Sequence, residues 1–138
     1  MSLRVLILDD EPIVGKRLGP AIAKMGCQTE SFTEPRAALA RLEESSFDII
    51  VTDIRMDDID GIGVLERVLE RSPDTKVIMI TGYATMEVAR EALAKGAFDF
   101  LAKPFKPAQL REMIARAALD LGVKLELPRS TEETTTDD

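Results

Sequence analysis

Polar side chains suited to phosphoryl chemistry come directly after four short apolar runs of the sequence. They are Asp9 and Asp10 after residues 3–8, Asp53 after residues 47–52, Thr81 after residues 76–80, and Lys103 after residues 98–102. If these runs are neighbouring parallel strands, their carboxyl ends lie along one edge, where open α/β sheets place their chemistry. The spacing therefore predicts one site that gathers three carboxylates, a hydroxyl and an ammonium.

The chemistry that suits this collection is transfer of a phosphoryl group to Asp53. Carboxylates this close together repel one another, and a divalent cation removes the conflict. Mg²⁺ (or Mn²⁺) bound by Asp9, Asp10 and Asp53 keeps room for a phosphoryl oxygen. The carboxylate of Asp53 attacks in line and becomes an acyl phosphate. Lys103 offsets charge on the phosphoryl oxygens and the Thr81 hydroxyl donates to one of them.

Each of these groups has a simpler explanation when taken alone. Asp9 and Asp10 can cap the helix that follows them. Asp53 can be a loop acid, Thr81 a turn residue and Lys103 a solvated charge. Their joint occurrence, each at its own strand end, favours the shared site.

Alternating strands and helices are predicted to position these groups. The predicted strands are residues 3–8, 28–32, 47–52, 76–80 and 98–102, and the predicted helices are residues 12–26, a segment opening at residue 33 or 34, and residues 61–71, 85–95 and 107–121. Short connections imply a parallel sheet covered on both faces, an α/β doubly wound fold. A chain of 138 residues is too short for an eightfold barrel. Pro20 predicts a bend or local break in the first helix.

Composition excludes several classes of protein. A net charge of -7 argues against direct nucleic-acid binding and against docking on an anionic membrane. Cys27 is the single cysteine and there is no histidine, so neither an internal disulfide nor a zinc site is expected. With no apolar run long enough to span a bilayer, a cytoplasmic protein is predicted. Residues 1–122 are the expected domain, and residues 123–138 an acidic linker or disordered tail.

Four motifs resemble those of the receiver domains of two-component response regulators. They are LILDDEP at residues 6–12, VTDIRM at 51–56, TGYA at 81–84 and FDFLAKPF at 98–105. The last two look most like the nitrogen-regulation (NtrC-like) branch, and the resemblance covers residues 3 to about 121. It implies a CheY-like, flavodoxin-like (βα)5 sandwich with a five-stranded parallel sheet in the order 2-1-3-4-5.

The resemblance also implies roles for individual residues. These are Asp53 as phosphoacceptor, Asp9, Asp10, Asp53 and the backbone carbonyl of Arg55 as metal ligands, Thr81 and Lys103 as phosphoryl contacts, Phe100 as the switch aromatic that tracks Thr81, and Pro104 as a cis-proline. One position departs from the family pattern, since Asp57 stands where proline is common. Asp57 is either a solvated loop acid or a modifier of acyl-phosphate lifetime.

The resemblance implies a signalling protein with two kinds of partner. A sensor histidine kinase would supply the phosphoryl group. An effector domain or partner protein would dock on the face of the fourth helix, fifth strand and fifth helix, with a phosphorylation-dependent dimer as a further expectation. Turnover of an external substrate is not expected, only self-directed phosphotransfer and slow self-dephosphorylation.

The sequence also allows three other interpretations. An aspartate-nucleophile phosphatase needs a second acid two residues after the nucleophile, where this chain has Arg55. A flavodoxin-like cofactor carrier is disfavoured because acids after the first strand repel a cofactor phosphate. A receiver-shaped interaction module that works without phosphorylation stays open.

Overall fold

Five strands and five helices alternate along the chain in the computed structural model, which describes residues 2–54, 61–82 and 86–125. The elements are β1 (Arg4–Leu8), α1 (Pro12–Ala23), β2 (Gln28–Phe32), α2 (Pro35–Glu44), β3 (Ile49–Asp53), α3 (Gly61–Arg71), β4 (Lys76–Thr81), α4 (Met86–Ala94), β5 (Asp99–Ala102) and α5 (Pro107–Asp120). Within the described ranges, no helix is long and apolar enough to cross a bilayer.

All strand pairs are parallel, and the sheet order is β2-β1-β3-β4-β5. This order confirms the α/β prediction. The chain leaves β1 toward β2 and returns to the other side of β1 at β3, so the strand order reverses between β1 and β3. Ligand sites of doubly wound sheets lie at such a reversal. Asp9 directly follows β1, and Asp53 is the last residue of β3.

Two apolar cores cover the two faces of the sheet. Alternate strand residues point to opposite faces. Val5, Ile49 and Ile78 pack with α1 and α5 on one face. Leu6 and Ile50 pack with α2, α3 and α4 on the other. Every residue of β3 is buried, which explains the continuous apolar run at residues 49–51.

Of the two effects expected at Pro20, the local break is wrong, because α1 runs from Pro12 to Ala23 without interruption. The bend stays a prediction. Leu18 and Ile22 flank Pro20 and are buried in the core on the α1 face. Burial on both sides of the proline holds the helix together despite the missing amide donor.

The end of α5 is closed by a glycine turn. The Val123 amide donates to the Ala118 carbonyl (2.8 Å) and the Gly122 amide to the Leu119 carbonyl (2.9 Å), with Gly122 at φ 85°. This is the Schellman arrangement, and glycine suits its left-handed residue. Val123 and Leu125 then pack on the α1/α5 core. The packed region thus continues past residue 122, where the sequence placed its end. Residues 126–138 of the expected tail lie outside the described residues.

Candidate phosphoryl-acceptor site

Strand register brings the predicted site residues to one edge of the sheet. Asp9 directly follows β1, and its amide donates to the Phe32 carbonyl at the end of β2 (3.1 Å). Asp53 is the last residue of β3 and pairs with Ile80. Thr81 ends β4, and its carbonyl accepts from the Lys103 amide (2.7 Å). The carboxyl ends of β1, β3, β4 and β5 therefore meet, as the sequence predicts.

Three carboxylates form a cluster at this edge. Asp9, Asp10 and Asp53 each offer one oxygen, and these oxygens all lie within 4.8 Å of one another. Asp9 is 2% exposed and Asp53 is 9% exposed, whereas Asp10 is exposed. The cluster therefore has a buried base and a side that is open to solvent.

Lys103 lies between two of the carboxylates. Its Nζ is 3.2 Å from Asp9 Oδ2 and 3.3 Å from Asp53 Oδ2. Burial lowers the pKa of Lys103, but the charges of Asp53 and Asp9 outweigh burial, so its pKa is raised above the ordinary value. With all three carboxylates ionised, the ammonium leaves two net negative charges at the site.

Asp9 also shapes the start of α1. The Glu11 amide donates to Asp9 Oδ1 (2.9 Å), while Asp9 Oδ2 faces Lys103. Glu11 is the N-cap residue and Pro12 opens the helix. The capping explanation of Asp9 is wrong, because Oδ1 accepts from the amide of the N-cap residue and not from an amide of the helix, and the N-cap makes no side-chain cap hydrogen bond. The other oxygen of Asp9 belongs to the carboxylate cluster.

The remaining predicted residues belong to β4, β5 and the segment after β5. The buried Thr81 hydroxyl donates to the Gly82 carbonyl (2.9 Å). Phe100 is partly buried and packs on the core of the α2, α3 and α4 face. The Lys103–Pro104 peptide bond is cis. The expectations for Arg55 and Asp57 fall on residues outside the described ranges.

The carboxylate cluster fits a hard divalent cation. Mg²⁺ and Mn²⁺ prefer carboxylate, carbonyl and water oxygens, and one or two carboxylates with several waters make a usual Mg²⁺ site. Asp9, Asp10 and Asp53 supply such oxygens, and the exposure of Asp10 leaves the cluster accessible to water. The donor set and the surplus negative charge are both suited to Mg²⁺.

Sequence reasoning missed one residue at this edge. Gly61 opens α3, and its amide donates to the carbonyl of Ile54, the residue after Asp53 (2.7 Å). The available signal was a glycine at the first position of a predicted helix, directly after the acidic residues of the sequence DDID at 57–60.

A family model described as the response regulator receiver domain matches residues 5–115. The chain is 38% identical over 114 residues to the response regulator protein PilR of Pseudomonas aeruginosa, which covers 83% of this chain and 26% of PilR. It is 38% identical over 124 residues to the regulatory protein AtoC of Escherichia coli, covering 90% of this chain and 27% of AtoC. The chain thus spans about a quarter of these relatives.

Solved structures agree with the family match. The beryllofluoride-activated NtrC4 receiver domain dimer has a TM-score of 0.77 at 35% identity, covering 83% of this chain and 94% of that one. A CheY-like receiver domain protein from Methanospirillum hungatei has a TM-score of 0.82 at 28% identity, covering 88% and 98%. These matches favour neither a phosphatase nor a cofactor carrier.

Proposed function

This chain belongs to the response regulator receiver domains of two-component systems, and we propose that Asp53 is the residue that accepts the phosphoryl group. The observation that supports this assignment is the cluster of Asp53 with Asp9, Asp10 and the Lys103 ammonium at one edge of the sheet. Asp53 is held in a buried strand, so its carboxylate is positioned before any donor arrives.

The proposed step is an in-line displacement at phosphorus. A carboxylate oxygen of Asp53 forms a bond to the phosphorus of a phosphohistidine as the bond from phosphorus to the imidazole nitrogen breaks. The electron pair of the broken bond stays on the leaving imidazole. Lys103, charged and within 3.3 Å of Asp53, attracts the phosphoryl oxygens as negative charge builds up on them.

Mg²⁺ is the proposed cofactor, and Asp9, Asp10 and Asp53 are its proposed ligands together with the Arg55 carbonyl. When bound, Mg²⁺ neutralises charge on the phosphoryl oxygens. The two net negative charges that remain beside Lys103 would otherwise oppose the approach of an anionic phosphoryl group. Metal binding and phosphoryl acceptance should therefore depend on each other.

A sensor histidine kinase is the proposed donor. A cleft of about 560 Å³ opens beside Lys103, between α1 and the segment that follows β5. Ile13 and Phe105 are among its apolar lining residues, and Ile13 is 57% exposed. An exposed apolar side chain next to the acceptor gives a partner protein a surface on which to dock while its phosphohistidine reaches Asp53.

The proposed output runs through the α4-β5-α5 face. Thr81 and Phe100 would respond to the added charge, because phosphorylation brings about 1.5 to 2 negative charges and new acceptor oxygens. Leu93 and Leu119 are exposed apolar residues of α4 and α5, two elements of this face, and they support docking of an effector domain, a partner protein or a second copy. We propose a cytoplasmic signalling domain that acts on such partners and that extends to the packed residues 123–125, with the residues beyond them as a linker or acidic tail.

The test is mass measurement of the intact chain after incubation with acetyl phosphate and Mg²⁺. The native chain should gain one phosphoryl group, and Asp53→Ala should gain none. Asp74→Ala removes an exposed acid away from the site and should behave as the native chain does. A phosphoryl group on Asp53→Ala would refute the assignment of the acceptor. A folded native chain that gains none from acetyl phosphate or from a phosphorylated kinase would instead favour the phosphorylation-independent interaction module.

A further inference from the structure

The start of α3 touches the main chain of the proposed acceptor. A Cβ built on Gly61 would lie 2.6 Å from the Asp53 carbonyl oxygen, 2.8 Å from the Ile54 Cα and 2.8 Å from the Met79 Cε. Two of these three atoms belong to the backbone, which has little freedom to move. Any residue other than glycine would therefore have to displace either α3 or the end of β3.

Backbone conformation does not explain this glycine. Among the described residues, the glycines with positive φ are Gly26, Gly96 and Gly122, and Gly61 is not one of them. The missing side chain of Gly61 instead lets the start of α3 come close to the main chain at the end of β3, which is another common use of glycine in proteins.

The main chain after Asp53 is clamped from two sides. The Ile54 amide donates to the Ile80 carbonyl of β4 (3.1 Å), and the Ile54 carbonyl accepts from the Gly61 amide (2.7 Å). If an added methyl group pushed Ile54 away from α3, the bond to β4 would also have to stretch. Asp53 precedes this clamped residue directly and ends the same strand.

We propose that Gly61 is a positioning residue for the acceptor site: its close contact with the main chain of Asp53 and Ile54 sets where the carboxylate of Asp53 stands relative to Asp9 and Asp10. This inference rests on the proposed function of Asp53. It predicts that a side chain at Gly61 weakens metal binding even in a folded protein, because the carboxylate of Asp53 is displaced relative to those of Asp9 and Asp10.

The experiment compares Mg²⁺ binding to the native chain, Gly61→Ala, and Gly19→Ala by calorimetry at 10 °C. Gly19 is a matched control, because a Cβ there would meet only Thr29 Oγ1 at 3.8 Å and Ser31 Oγ at 4.0 Å. A third variant combines Gly61→Ala with Met79→Leu, which removes the one side-chain clash and leaves both backbone clashes. Circular dichroism in a stabilising osmolyte checks that each variant is folded.

We expect Gly61→Ala to bind Mg²⁺ about 10- to 100-fold more weakly, the range seen when groups that orient metal ligands are altered. Gly19→Ala should bind as the native chain does, and Met79→Leu should not restore the affinity. Native affinity in Gly61→Ala, or recovery in the double variant, would overturn the inference, since recovery would trace the effect to core packing. A Gly61→Ala chain that stays unfolded in the osmolyte would overturn it too, because Gly61 would then serve the fold as a whole. Failure of the native chain to bind Mg²⁺ or accept a phosphoryl group would instead be a failure of the proposed function.

Discussion

Replacing Lys103 by methionine isolates the charge that the ammonium contributes to the carboxylate cluster. The substitution removes the positive charge and keeps an unbranched side chain of similar reach. Lys103 Nζ lies 3.2 Å from Asp9 Oδ2 and 3.3 Å from Asp53 Oδ2. The side chains of these acids are 2% and 12% exposed, whereas that of Lys103 is 31% exposed. In Lys103→Met, residue 103 no longer supplies a positive charge to offset the repulsion between the carboxylates.

The size of the effect follows from these distances. Two unit charges about 4 Å apart attract by about 1 kcal/mol in water, and Lys103 has two such partners. Its partial exposure and the cost of ordering its side chain offset part of this attraction, so we expect the metal-free variant to lose about 1 kcal/mol of unfolding free energy. The ammonium repels a bound divalent cation about twice as strongly as it would repel a unit positive charge. Dissolved salt screens part of this repulsion. Lys103→Met should therefore bind Mg²⁺ roughly fivefold more tightly, about 1 kcal/mol.

Urea unfolding with and without Mg²⁺ measures both quantities. The native chain and Lys103→Met should differ in metal-free buffer, and Mg²⁺ should raise the unfolding free energy of the variant by more than that of the native chain. Lys95→Met is the control, because Lys95 pairs with the exposed Glu66 and Glu91 far from the cluster. Equal metal-free stability and an equal gain from Mg²⁺ would refute the electrostatic reasoning.

Two further predictions concern stability elsewhere in the chain. Arg41 donates to both carboxylate oxygens of Glu30 (2.8 and 2.9 Å) and lowers the pKa of Glu30. Because the pKa of Glu30 is lower in the folded chain, the pair stabilises the fold at pH values above the ordinary glutamate pKa of about 4.3. This stabilisation is lost as the pH falls through the folded-state pKa of Glu30. Arg41→Gln should lower the urea midpoint at pH 7, and the difference in midpoint from the native chain should shrink at acid pH. Replacement of the exposed Arg90 by glutamine should show no such pH dependence. A difference for Arg41→Gln that stays constant with pH would contradict the assignment. Pro20→Ala should raise the unfolding free energy by about 1 to 2 kcal/mol. Alanine restores an amide donor within a continuous helix, and the greater freedom of the unfolded chain offsets part of this gain. An unchanged melting temperature would count against the prediction.

The edge of the sheet was predictable from sequence because it depends on local patterns. An apolar run predicts a buried strand, and parallel strands bring their carboxyl ends to one edge. The strand order that makes Asp53 a neighbour of Asp9 and Lys103 came from the resemblance to receiver domains, because local patterns do not report it. The error at Pro20 has the opposite origin. The local rule for proline is correct, but burial of the residues on either side outweighed it, and the depth of that burial is a property of the assembled core.

Contacts between distant elements were beyond the reach of sequence patterns. The Arg4 guanidinium lies 4.4 Å from the centre of the Phe47 ring and donates to Ser45 and to the Ser46 carbonyl, joining the start of β1 to the segment before β3. The approach of Gly61 to Asp53 is of the same kind. Both depend on the distance between elements far apart in sequence, which periodicity does not report.

The glycine turn after α5 has a mechanical consequence. α5 contains 14 residues and is therefore about 21 Å long. One end begins three residues after Pro104, and the other is tied through Val123 to the carbonyl of Ala118. Because one continuous helix joins the segment after Pro104 to residues 123–125, a movement of α5 along its axis would shift both of these segments together.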